Sequence, residues 1–439
     1  MTLVSPSPLK LAAGLLLLFL YLLFSRSDSG TGREDYIAPH EALNHSSGSG
    51  TSLSLMAILN YLCALLAGGT SSGYRMETGT SARLPSYPLA VKSPYLSTWL
   101  PGSTASNAAR AQPQFWTGQN LTWPVLARVD GKTYALFGDP GESITKAAST
   151  DSVTFTSTHT YFYMSAGSVK FTLDFFTPVF PGTKEYARQS LPYSYLTVSA
   201  ASTGYAPASV QILSGIDQTW TAQDGRAGIN FTNTGSAGLF RFYNPDAQHY
   251  TERRNMATYG SVVFASATGD SVSQTCGSEA AVLENFSQNG VLKSNYGCNG
   301  SDVVAISHDL GNIGGGKRSE SSPASATFVV GFQRDLAINY LGKAQTGYHR
   351  SKWPTIPEAV DYVLESYGSA VEHSHGLDWL IRSKAEGVSN EYGNQYADIV
   401  EASVRQTFAT IDITVSISSP SARSISKSSL TNPRCLSTT

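Results

Sequence analysis

Along residues 85–342 the apolar positions recur with the short spacing of strands. Val125-Leu126-Ala127-Arg128-Val129 and Thr133-Tyr134-Ala135-Leu136-Phe137 are compact apolar runs separated by Asp130-Gly131. That dipeptide suits the positive φ angles of a tight hairpin turn. Thr158-His159-Thr160-Tyr161-Phe162-Tyr163-Met164 and Val169-Lys170-Phe171-Thr172-Leu173-Asp174-Phe175-Phe176 repeat the arrangement around Ser165-Ala166-Gly167-Ser168. Further strands are predicted at Tyr195–Ala200, Ser209–Leu213, Ser261–Ala265 and Ala326–Phe332. Many short strands divided by Gly, Asn and Ser turns predict an antiparallel β-sandwich over 85–342. The stretch shows no recurring period of about 20–50 residues, which argues against a propeller or solenoid.

The period lengthens after Trp353-Pro354. Thr355-Ile356-Pro357-Glu358 has the form of a capping box with Pro inside the first turn. Behind it Val360, Val363, Leu364, Tyr367 and Val371 recur at helical spacing. A second helix is predicted from Gln395 to Ile411, with Ile399, Val400, Val404, Phe408 and Ile411 on one face. Residues 343–415 thus read as the beginning of a helical domain, and 416–439 as a disordered, Ser-rich tail without apolar periodicity. One helix pair cannot bury its apolar faces alone. The expectation is therefore β + α multidomain, with a helical part that is incomplete in this chain.

Two apolar runs precede the β region. The first, Leu11–Phe24 between Lys10 and Arg26, makes residues 1–24 a signal peptide or signal anchor. The second covers 53–67 within a Ser/Gly/Thr-rich linker spanning 25–84, and ends in Ala64-Leu65-Leu66-Ala67-Gly68, which loosely resembles a cleavage site. Met56 as initiator would make 56–67 the signal peptide, and a type II anchor at the first run is the alternative. Either way the remainder is expected to be extracellular, secreted or anchored to a membrane by its N-terminus. The sequons at Asn120, Asn230, Asn285 and Asn299, with Asn44 upstream, agree with that location.

Of four cysteines, Cys276 and Cys298 flank a Gly/Asn/Ser-rich loop, and in an oxidising compartment they are expected to close it as a disulfide. Cys63 and Cys435 have no evident partner. No CxxC or Cys/His cluster points to a metal, and no cofactor is expected. With 30 Lys+Arg against 32 Asp+Glu, and only isolated basic pairs at Arg253-Arg254 and Lys317-Arg318, the chain lacks the basic footprint of nucleic-acid binding. Oligomeric state is not legible.

Two longer blocks carry a family signal. Tyr87-Pro88-Leu89-Ala90-Val91-Lys92-Ser93-Pro94-Tyr95-Leu96-Ser97-Thr98-Trp99-Leu100 and Pro113-Gln114-Phe115-Trp116-Thr117-Gly118-Gln119-Asn120-Leu121-Thr122-Trp123 resemble the opening of the mature fungal glutaminase A family. These are secreted amidohydrolases that convert glutamine to glutamate and ammonia. Gly331-Phe332-Gln333-Arg334-Asp335, Ile338-Asn339-Tyr340-Leu341-Gly342, Leu377-Asp378 and Ser403-Val404-Arg405-Gln406 match the family pattern further along. The resemblance covers about residues 85–415. It implies a β domain joined to an α/α toroid of which only the beginning is present. It also implies hydrolysis of the glutamine side-chain amide without a metal, and glutamine as the small-molecule partner. With the toroid incomplete, little or no activity is expected of this chain.

Hydrolysis of an amide needs a nucleophile or activated water, a proton donor for ammonia and donors for the oxyanion. Arg334 and Asp335 follow the apolar strand Phe328-Val329-Val330-Gly331-Phe332, at the passage from β to helical domain, and are candidates for an interdomain site. An ion pair or cap fastening the domains is the competing reading. Asp378, on a predicted helix, is the third candidate against a solvated or interhelical carboxylate. Asp130 reads as a turn residue and Asp217 as a loop carboxylate. No Gly-x-Ser-x-Gly elbow is present. Ser143-Ile144-Thr145-Lys146 and Ser424-Ile425-Ser426-Lys427 are chance matches in a Ser-rich chain. His373 and His375 lack the spacing of a zinc-binding helix. Trp99, Trp116, Trp123 and Trp220 would suit a sugar-stacking platform as readily as a core. A glycoside hydrolase and a non-catalytic binding module therefore stand as alternatives.

Overall fold

The computed structural model describes residues 83–182, 184–204, 206–222, 227–314 and 324–417. The two N-terminal apolar runs, nearly all of the linker, Cys63, Cys435 and most of the Ser-rich tail lie outside them. Among the described residues no helix is long and apolar enough to cross a membrane.

Antiparallel pairing dominates. An eight-stranded sheet runs, edge to edge, Gly228–Asn233, Ala237–Tyr243, Ser261–Ala267, Ala324–Gln333, Tyr193–Ser202, Val169–Phe176, His159–Ala166 and Ser149–Phe155. A five-stranded sheet runs Val272–Gly277, Val303–Ile313, Ala208–Ile216, Val125–Val129 and Lys132–Phe137. Both predicted hairpins form. Val129 pairs with Lys132 across Asp130 and Gly131, whose φ angles of 48° and 78° are those of a type I′ turn. Ala166 pairs with Val169 around Gly167, at φ 59°. The second hairpin is tighter than predicted, with Ser165 and Ala166 still in the strand.

Alternation sorts each strand of the larger sheet between two surroundings. Phe162, Phe175, Leu196, Val198, Phe264, Phe328 and Val330 share one core with Val125, Ala127, Leu213, Val304 and Ile306 of the smaller sheet. Phe176, Tyr193, Tyr195, Leu239, Val263 and Val329 face the other way and pack against helix residues Ala359, Val360, Val363 and Ala370. Gly331 has its place here: a Cβ on it would come within 2.1 Å of the Tyr193 ring, so only glycine lets this aromatic lie flat on the strand.

The helices follow the strands. Ile356–Glu365 starts at the predicted capping box, with Thr355 Oγ1 accepting from the Glu358 N–H and the Glu358 carboxylate accepting from the Thr355 N–H. The predicted single periodic run breaks at Ser366, and a separate helix spans Tyr367–Glu386. Tyr195 Oη donates to the Val363 carbonyl at 2.7 Å and Thr197 Oγ1 to Tyr367 Oη at 2.7 Å, tying both helices to the sheet. The last helix, Gly393–Phe408, buries Ala397, Glu401, Val404 and Arg405. This corrects the predicted face. Val404 lies on the buried face as expected, but Ile399 is exposed, because two polar side chains with distant partners displace it from the interior. A strand at Thr414–Ser416 then pairs with Lys343–Gly347, so the first residue of the stretch read as a tail is ordered.

Two helices were not anticipated within the β region: the single turn Tyr186–Gln189, and Glu279–Asn289, between Cys276 and the loop leading to Cys298. The expected disulfide joins those two cysteines, with Cα atoms 5.7 Å apart. Replacing both by serine is expected to lower stability by about 3 kcal/mol, from the loop entropy returned to the unfolded chain. A urea titration under non-reducing conditions measures it, and an unchanged midpoint would refute it.

Candidate functional site

Asp378 leads to the site. It projects from the Tyr367–Glu386 helix toward the sheet and is 6% exposed. Its Oδ2 accepts hydrogen bonds from Thr156 Oγ1 at 2.6 Å and Thr158 Oγ1 at 2.7 Å. Both threonines sit in the turn that leads into the His159–Ala166 strand, and Thr156 Oγ1 also accepts from the His159 N–H.

His159 is fully buried, stacked on Phe176 with centroids 4.2 Å apart and on Tyr161 at 5.3 Å. Its Nδ1 donates to Asp174, 2.8 Å from Oδ1 and 3.0 Å from Oδ2. The sheet register explains the pair: Tyr161 lies opposite Asp174 and His159 opposite Phe176, so His159 and Asp174 are diagonal neighbours on one face. With Nδ1–H donating to the carboxylate, Nε2 is the ring nitrogen left without a protein partner among the described residues. His375, one helical turn before Asp378, brings its ring to 5.1 Å from that of His159 on the exposed side.

Arg405 completes the group from the last helix. It is 1% exposed, and its Nη2 donates to the Pro88 carbonyl at 3.2 Å. Thr160 Oγ1 donates to the same carbonyl at 2.7 Å, linking Arg405 to the strand that carries His159. Electrostatics follow from burial. Loss of solvent raises the Asp378 carboxyl above the ordinary range, against the pull of His159, the two threonine hydroxyls and Arg405. Burial lowers the Arg405 guanidinium to about 10, opposed by Asp378 and Asp174, and leaves it charged near neutrality. Burial, then the neighbouring His159, depresses His375. Tyr161 is pushed up by burial and by both carboxylates.

The arrangement joins a carboxylate-anchored imidazole, a carboxyl whose proton affinity burial raises and a buried cation. Those are the group types that proton transfer and recognition of a polar substrate require. Among the described residues no three His, Cys, Asp or Glu side chains are grouped to hold a metal ion.

The other two candidates lie elsewhere. Arg334 is 7% exposed, ion-paired with Asp412, 2.8 Å from the Ala337 carbonyl and stacked over Tyr95 at 4.4 Å. Asp335 faces solvent and pairs with Arg350. Neither contacts Asp378 or its partners, so the structure does not bring the three together. Arg334 fastens the end of its strand to the segment after the last helix. Asp130 is the turn residue expected, and its carboxylate accepts from the Ser209 N–H at 2.9 Å. Asp217 caps a short turn through the Thr219 N–H. Trp123 and Trp220 pack edge to face at 5.1 Å inside the core, which removes them from any sugar platform, while Trp116 is exposed.

His159, Asp174 and Arg405 were not singled out from sequence. The signal for the first two was present: polar residues interrupting apolar strands at positions that a hairpin around Gly167 places together.

Comparison with known proteins bears on this geometry. The family model "Domain of unknown function (DUF5127)" matches residues 158–384, from Thr158 through the Asp378 helix. The chain belongs to the DUF5127 family. Curated relatives of this member include Glutaminase A of Aspergillus oryzae, 30% identical over 380 residues, covering 82% of this chain and 53% of the relative. A "probable glutaminase" of Arthroderma benhamiae is 24% identical over 365 residues, covering 76% and 40%. The resemblance to fungal glutaminase A read from the sequence therefore holds, and the chain spans about half or less of the length of these relatives. Among solved structures it is similar to a bacterial glucoamylase complexed with acarbose, at TM-score 0.37 and 11% identity, covering 76% of this chain and 39% of that one. A likeness at that level carries no argument.

Proposed function

We propose that this DUF5127 member is a glutaminase-type amidohydrolase that converts L-glutamine to L-glutamate and ammonia, a reading that departs from the little or no activity expected from the sequence. The observation that carries the reading is the identity to Glutaminase A across most of the chain. The junction around Asp378 supports it with acid–base groups from both layers, His159 with Asp174 from the sheet and Asp378 from the helix. The two sheets sharing one core, with helices on the outer face of the larger, support a β-sandwich leading into the first helices of an α/α toroid.

Extracellular placement, secreted or membrane-anchored, belongs to the same proposal. It is supported by the Cys276–Cys298 disulfide and by the exposure of Asn120, Asn230 and Asn299, with Asn285 half-buried.

The test is incubation of the purified chain with L-glutamine, with glutamate and ammonia quantified separately. Equimolar release of both supports the function. A folded protein that forms no glutamate would overturn it for this chain.

A further inference from the structure

An open sheet edge presents N–H and C=O groups to which another chain can add as a strand. The two large sheets have four edges, and three of them are blunted. The Ser149–Phe155 edge is broken by an irregular register between Thr150 and Ser152, at the charged Asp151. At the Lys132–Phe137 edge, the Ala135 N–H donates to the Lys146 carbonyl and the Ala135 carbonyl accepts from the Ala148 N–H, both at 2.8 Å. The disulfide loop lies along the Val272–Gly277 edge. There the Cys276 N–H donates to the Asn295 carbonyl at 3.0 Å, and Asn295 Nδ2 donates back to the Cys276 carbonyl at 2.9 Å.

The fourth edge is Gly228–Asn233. It pairs in unbroken register from Gly228 opposite Tyr243 to Asn233 opposite Gly238, and among the described residues no strand pairs with its outer side. Gly-Ile-Asn-Phe-Thr-Asn contains no charge and no proline, the usual guards of an edge, while Ile, Phe and Thr favour strands. Alternation gives the strand two faces. Ile229 and Phe231 pack against the core between the sheets, Phe231 stacked on Tyr296 at 4.2 Å. Asn230 and Thr232 take the other face and are exposed. Those two positions are the acceptor and the hydroxyl residue of the sequon Asn230-Phe231-Thr232.

We propose that Asn230 carries an N-linked glycan that shields this edge from pairing with a second copy of the chain. The inference rests on the extracellular placement proposed above. In the transfer, Asn230 Nδ2 bonds to C1 of the first sugar of an oligosaccharide carried on a lipid diphosphate. The bond from C1 to the diphosphate oxygen breaks, the lipid diphosphate leaves, and the proton displaced from Nδ2 goes to solvent. An added strand must come within about 5 Å of the edge, and a bulky hydrated sugar rooted in that strand occupies the approach. The glycan thus does what a lysine or proline does on other edges. Asn120, Asn285 and Asn299 lie outside the edge strands of both sheets and serve as internal controls.

The experiment expresses the full chain in a eukaryotic host, reads sequon occupancy by glycopeptide mass spectrometry and measures mass in solution by light scattering. Wild type is expected to carry sugar at Asn230. Thr232→Ala destroys the sequon and is expected to raise the weight-average mass at least about twofold over wild type, the least that pairing of two edges gives. Thr232→Lys also destroys it but sets a charge on the edge, and is expected to keep the wild-type mass. Thr122→Ala, which removes the Asn120 sequon instead, is expected to keep it too. A wild-type mass for folded Thr232→Ala overturns the proposal, as does equal association of Thr232→Lys. Bare Asn230 in wild type with sugar at other sequons overturns the shield alone, whereas sugar at none overturns the extracellular placement with it. The glutaminase reading stands or falls on its own assay. Should Thr232→Ala fail to fold, trimming the glycans of folded wild type with an endoglycosidase decides. Association of the trimmed protein supports the shield, and an unchanged number of chains per particle overturns it.

Discussion

An Arg405→Ala variant is expected to lose about 3–5 kcal/mol of folding stability, the range for removing one partner from a buried charge group. Arg405 is 1% exposed, and its positive charge acts on Asp378, Asp174 and Tyr161. Removing it strips the Pro88 carbonyl of one donor and leaves two carboxylates near each other without their cation. It also leaves a cavity where the guanidinium and its methylene stem were packed. Lys170→Ala supplies the contrast. Lys170 pairs with Asp151 at 2.6 Å, but its side chain is 57% exposed, and an ion pair so placed contributes about 0–1 kcal/mol. Urea unfolding of both variants reads the difference directly. A loss below about 1 kcal/mol for Arg405→Ala would show that the cluster relaxes around the deletion and does not hold the helix to the sheet.

Local determinants were legible and distant ones were not. The hairpin at Asp130-Gly131 and the capping box at Thr355 are complete within a few residues, and both formed as read. The Glu279–Asn289 helix also had local signals, with Gly290 at φ 73° ending it and Val282, Leu283 and Phe286 buried on one face. Gly-, Asn- and Ser-rich flanks closed by the disulfide give the stretch a loop-like composition that masks so short a helix. The buried face of the last helix failed for a different reason. Hydrophobic periodicity favours Ile399, whereas the interior takes Arg405, whose backbone partner lies 317 residues earlier. The site shows the same division. Asp378 was found as a carboxylate on a helix, but what buries and orients it is a pair of threonines more than 200 residues away in the chain. Arg334 and Asp335 looked functional because they end a strand at a change of structural class. Their contacts show one arginine locking a strand end and one carboxylate facing water.

Acid is expected to destabilise the fold steeply between about pH 6.5 and pH 4, through His308 and His349. His308 lies between the two sheets, with Nε2 2.7 Å from Ser266 Oγ and its ring edge-on to Phe328. Ser266 donates its only hydrogen to the Thr327 carbonyl, so the imidazole must donate through Nε2–H. Burial holds His308 to about 4. His349 is 3% exposed and likewise held to about 4, first by burial and then by the charge of Arg350. The sign follows from proton binding. Across this window the unfolded chain binds protons that the folded chain refuses, so stability is fully present above the unfolded value near 6.5 and is lost as pH falls toward 4. Each histidine contributes about 3 kcal/mol to that loss at its lower end. His373 and His375, both depressed chiefly by burial, act in the same direction. Asp378 acts in the opposite one, because its raised value makes the folded state bind the extra proton. Stability measured by urea unfolding at half-unit intervals from pH 7 to 4 gives the slope. His308→Gln is expected to flatten it by about half, since glutamine preserves a donor without acquiring a charge. An unchanged slope in that variant would assign the acid sensitivity to groups outside the space between the sheets.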